Sequence, residues 1–137
     1  GLGDVYKRQD VTPSIERHLA LLKKGGYLVL VIPNHAGLNG RILQAVDRDK
    51  YNIHNHMDCK QMVDAVVGTG QAEIIDAGYF GRIGFWNTGL YPIIKSKGRI
   101  PYILARSPLY VIEALGQYII PNCRMLSPNA ALIAKKL

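Results

Sequence analysis

The run Tyr27-Leu28-Val29-Leu30-Val31-Ile32, closed by Pro33, constrains this chain more than any other feature. No polar residue interrupts it, and it is far too short to span a bilayer. Because apolar and polar positions do not alternate, it reads as a strand buried on both faces, like those inside a parallel sheet. A helix signature stands before it. Thr12-Pro13 supplies an N-cap hydroxyl and a proline at the first helical position, and Ile15, Leu19 and Leu22 then fall on one helical face. Lys23 and Lys24 suit a helix C-terminus, and Gly25 can take the left-handed conformation that stops the helix. Helix, glycine stop and buried strand make an α/β unit.

Further along, a loop rich in Asn and Gly covers Asn34 to Gly40, and a short helix carries Ile42, Ala45 and Val46. Asp47 to His56 reads as irregular. Asp58 can cap a helix through Val67, with Gln61 as its reciprocal partner and Gly68 as its stop. A strand follows from Ala72 to about Tyr79. Ser107-Pro108 predicts the start of a helix through Tyr118, ended by Pro121. A last strand, Ala130 to Lys136, is entered through the Ser127-Pro128-Asn129 turn. No internal repeat or low-complexity tract is present.

The first nine residues stand apart. Asp4-Val5-Tyr6-Lys7-Arg8-Gln9 reads, codon for codon, as the translation of a transposon adapter end used in sequencing libraries. Residues 1–9 are therefore expected to contribute nothing to the fold, and the natural protein is expected to be longer. The whole chain carries a formal net charge of +7. Without residues 1–9, 15 basic residues stand against 9 acids, a balance of +6. That balance suits anionic partners, but the cations are dispersed, with no run of the kind nucleic-acid-binding arms carry. Cys59 and Cys123 form no CxxC pair and fit a reduced, cytoplasmic protein better than a disulfide framework.

The passage from Leu21 through Lys23-Lys24-Gly25-Gly26 into Tyr27–Asn34 is similar to the helix, Gly-Gly and fifth-strand segment of class I S-adenosylmethionine-dependent methyltransferases. That family usually shows a proline where Lys24 stands. The helix ending near Gly68, the strand after it and the terminal strand within Ser127 to Lys136 continue the resemblance, which covers roughly residues 13–137 and is weakest over 88–122. It implies an α/β fold: part of a Rossmann-like methyltransferase domain, with the C-terminal strands of a doubly wound sheet and their helices at 10–137, and with 88–122 as a variable cap or insertion. In this family the cofactor lies on the first strands, at a glycine-rich turn and at an acidic residue after the second strand. Neither feature is in this sequence, and Gly37-Leu38-Asn39-Gly40 has the wrong spacing for that turn. The resemblance thus implies a parent enzyme that uses S-adenosyl-L-methionine at a site largely outside this chain, a fragment with no cofactor-binding residue of its own, and no activity from the fragment alone. In the family's strand order the terminal hairpin strand lies beside the fifth strand. Tyr27 to Ile32 would then be an edge, open to association with another chain.

Asn34 and His35 follow the buried strand at its carboxyl end, where α/β sheets bind ligands, and are the first candidates for lining an acceptor pocket. His54-Asn55-His56-Met57-Asp58-Cys59 is the densest group of reactive side chains. His54 is the candidate catalytic base, since imidazole titrates near neutral pH, and Asn55 is a candidate substrate contact. His54, His56 and Cys59 suit zinc by ligand type, but no second cluster supplies a fourth ligand and Asp58 is explained as a cap, so no metal is expected. Residues 88–122 mix Leu90, Tyr91, Ile93, Ile94, Tyr102 and Ile103 with Lys95, Lys97, Arg99 and Arg106. That composition fits ordinary core with solvated lysines, a cap over an apolar acceptor, or a membrane-surface segment. The expected partner is a small-molecule or lipid-like acceptor, with peripheral membrane contact as a further expectation. Two rival readings remain: a different α/β enzyme, and a lipid-binding module built on 88–122.

Overall fold

The computed structural model describes residues 11–137, so the adapter-like segment 1–9 lies outside the described residues. The chain is mixed α/β. In order it forms α1 (Thr12–Leu21), β1 (Tyr27–Pro33), α2 (Leu38–Val46), α3 (Arg48–Ile53), α4 (Cys59–Gly68), β2 (Ala72–Phe80), α5 (Leu90–Ser96), α6 (Arg99–Ile119) and β3 (Asn129–Lys136).

The three strands make one open sheet in the order β1-β3-β2, with β3 antiparallel to both neighbours. Tyr27 faces Lys135 and Pro33 faces Asn129 on one side of β3; Ala72 faces Lys136 and Phe80 faces Asn129 on the other. β1 and β2 therefore run the same way and end together. A bulge between Ile74 and Asp76 shifts the β2 register.

One face of this sheet carries the core. Leu28 from β1, Ala72 from β2 and Ala130, Leu132 and Ala134 from β3 pack under Ile15 and Leu19 of α1 and Met62 and Val66 of α4. The opposite face is bare among the described residues: Tyr27, Val29 and Val31 are each more than half exposed, as is Ile75. This corrects the expectation of a strand buried on both faces in a parallel sheet. β1 is an edge strand in an antiparallel ladder with helices on one side, and its apolar run alternates between core and solvent.

Most element boundaries follow local chemistry. The Asp58–Gln61 capping box is complete, with the Asp58 carboxylate accepting from the Gln61 amide and the Gln61 side chain accepting from the Asp58 amide. Gly25 does adopt a left-handed φ of 79°, but in a turn after the helix, which ends at Leu21. The stretch Asp47 to His56 is not irregular as expected: Asp47 accepts from the Lys50 amide and opens a helical turn. Residues 88–122 depart most from expectation. α6 starts eight residues before Ser107 and runs through Pro108, which cannot donate to the Leu104 carbonyl. Gly116 lets α6 approach the loop after β2, since a Cβ there would lie 2.4 Å from the Ile83 Cγ2.

Candidate functional site

The carboxyl ends of β1 and β2 meet the start of β3, and the loops beyond this edge are stitched together by buried asparagines. The Asn34 side chain donates to the carbonyls of Arg124 and Ser127, each at 2.8 Å, and accepts from the Ala36 amide at 3.2 Å. Asn39 donates to the Gly84 carbonyl at 2.6 Å, and Asn87 donates to the Pro128 carbonyl at 2.9 Å. Gly37 and Gly40 permit this approach. A Cβ at Gly37 would lie 2.4 Å from the Arg124 carbonyl oxygen, and one at Gly40 would lie 1.9 Å from that of His35. Asn34, placed at the acceptor pocket by its position after β1, is thus fully engaged in holding these loops.

His35 is different. Its side chain is 94% withdrawn from solvent, and neither ring nitrogen has a hydrogen-bond partner among the described residues. It sits edge-on to His54 at 5.0 Å between ring centroids and edge-on to His56 at 5.8 Å. His56 in turn stacks on Tyr51 at 3.8 Å. Burial, helped by the neighbouring His54, His56 and Lys50, holds the His35 pKa down at about 4, so its imidazole is neutral at physiological pH.

His54 caps the C-terminus of α3, and its Nδ1 lies 2.6 Å from the Lys50 carbonyl oxygen. A carbonyl can only accept, so Nδ1 carries a hydrogen and donates it there. Asn55 is exposed beside it. The structure therefore brings His35, His54 and His56 together from the β1–α2 loop and the α3–α4 loop. Cys59 goes elsewhere: its amide meets the Tyr79 hydroxyl at 3.4 Å, and burial and the nearby Asp58 push its thiol pKa up. Asp58 caps α4 and pairs with Arg124 at 3.2 Å. Among the described residues, no group of three or more His, Cys, Asp or Glu is arranged to hold a metal ion.

The same edge also holds a cleft of about 360 Å³, lined by Trp86, Tyr91, Arg106, Tyr110, Glu113 and Pro128 among others. The Glu113 carboxylate accepts from the Phe85 amide at 2.5 Å, and burial raises the Tyr91 pKa. Arg106 donates to the Tyr102 hydroxyl at 2.9 Å and lies over the rings of Tyr91 and Tyr102. The chain matches no protein-family model, no curated protein and no solved structure. Trp86 and Glu113 were not singled out from sequence. The signal for Glu113 was present, since it is the lone acid between Asp76 and Leu137.

Proposed function

We propose that the chain forms the acceptor-side half of a class I S-adenosylmethionine-dependent methyltransferase. The observation that carries this reading is the sheet order. A terminal strand, β3, runs antiparallel beside β1, which itself follows the Gly25-Gly26 passage, and this is the neighbour relation implied by the resemblance.

The residues present do not fit the cofactor. The Gly37 to Gly40 passage after β1 is closed against the Arg124 and His35 carbonyls and leaves no cradle there. What this chain contributes is the handling of the acceptor. The aromatic and apolar walls of the cleft, with Arg106 and Glu113 at its side, suit an acceptor with an apolar body and a polar group. His54 lies outside the lining of this cleft; with its Nδ1 against the Lys50 carbonyl, it is the residue this reading assigns to take the acceptor's proton. His35, kept neutral by burial, places no positive charge beside the imidazolium that forms.

The test is the genomic coding sequence upstream of residue 10. It should encode a strand, then a glycine-rich turn, then an acidic residue after the next strand, and the protein it specifies should transfer a labelled methyl group. An upstream sequence without the turn and the acid sinks the reading.

A further inference from the structure

α6 is apolar on the side that faces the molecule and on the side that faces away from it. Its inward positions, Tyr102, Ala105, Leu109, Glu113 and Gly116, are buried or half-buried, with Gly116 against Ile83 and Glu113 bonded to the Phe85 amide. On the opposite side Ile100, Leu104, Val111, Leu115 and Tyr118 share one stripe, by their spacing, and are 52–86% exposed. The stripe runs along a helix of 21 residues, about 30 Å long. A soluble helix normally turns polar residues to water on this side. Here the polar side chains Arg99, Arg106 and Gln117 gather on one flank instead, by the same spacing.

The charge around this stripe has one sign. Residues 77–137 carry eight Lys and Arg and a single acid, whereas residues 1–76 carry nine of each, so the whole net charge of +7 lies in the second stretch. The single acid, Glu113, is turned inward to the Phe85 amide. Lys95, Lys97, Arg99 and Arg106 are exposed, and the ion pairs among the described residues, Lys60–Asp64 and Arg124–Asp58, use none of them.

We propose that the outer face of α6 docks on an anionic lipid bilayer, with the stripe in the interface and Lys95, Lys97 and Arg99 at the headgroups. An exposed apolar stripe bordered by unpaired cations and tyrosines is the composition that lies flat on such a surface. No helix among the described residues is long and apolar enough to cross a membrane, so the contact is peripheral. A second copy is the poorer occupant, since it would set this cationic stretch against another of the same sign. The inference does not depend on the methyltransferase reading.

Flotation of the full chain with vesicles tests it. The chain should float with phosphatidylcholine–phosphatidylglycerol vesicles but not with phosphatidylcholine alone, and high salt should release it. Leu104→Glu with Leu115→Glu, both at exposed positions, should lower the partition coefficient roughly tenfold or more, and so should Lys97→Glu with Arg99→Glu. Equal flotation with both lipid mixtures, or none with either, overturns the proposal. So does a dimer in sedimentation that the Leu104→Glu, Leu115→Glu pair dissolves while vesicle binding is absent. The salt dependence needs no variant, so the test stands even where a substituted chain fails to fold.

Discussion

His35 and His54 sit 5.0 Å apart but in different settings. His54 has one nitrogen fixed by a carbonyl, which holds the ring as a general base needs. On the methyltransferase reading proposed above, His54→Ala should lower turnover roughly tenfold or more with folding intact. Unchanged turnover would leave the ring as a cap on α3 and nothing else. His35 is instead a burden on the fold in acid. Its folded pKa of about 4 lies below the ordinary value of 6.5, so the unfolded chain binds the extra proton first. Its contribution is complete above pH 6.5 and fades as the pH falls toward 4. The urea midpoint should therefore drop across this window, and His35→Phe should flatten the drop. An equally steep drop in the variant would move the acid sensitivity to other groups. The position of His35 after β1 was legible in the sequence, but its pairing with His54 was not. The two lie in separate loops, and no local spacing in the sequence links them. Asn34 beside it looked equally suited to a ligand, and a string of residues cannot say that its amide is consumed by the Arg124 and Ser127 carbonyls.

Among the elements, α4 was the most readable because its start is written locally. Asp58 and Gln61 satisfy each other's backbone partners within four residues, and no distant contact is needed to recognise the pair. Asp58 also binds Arg124, which ties the helix to the loop before β3. Asp58→Ala should cost about 1–2 kcal/mol in urea unfolding, mostly from the lost cap. A cost near zero would mean that water replaces the carboxylate. α6 shows the opposite case. Ser107-Pro108 has the form of a helix start, yet the helix passes straight through it because packing of Tyr102, Ala105 and Gly116 on the molecule outweighs one lost hydrogen bond. β1 was recognised as a strand and as an edge, but not as one with a bare face. Its apolar residues on the solvent side, Tyr27, Val29 and Val31, are indistinguishable by composition from those in the core.

For the molecule as a whole, that bare face and the unpaired outer ladder of β1 coincide. No charge or bulge interrupts Leu28 to Ile32, and Pro33 comes only at its end. The chain should therefore self-associate, and Val29→Lys or Val31→Lys should shift it toward monomer in sedimentation velocity. A monodisperse, cooperatively unfolding monomer at high concentration would overturn this. The central position of β3 has a further consequence, in time rather than space. β1 and β2 do not touch each other; both wait for Asn129 to Lys136. During synthesis, β1 emerges about a hundred residues before its partner strand, so the ribosome releases helices and unpaired strands long before any sheet can close. Of the three strands β3 is made after the other two, and it is the one on which both assemble.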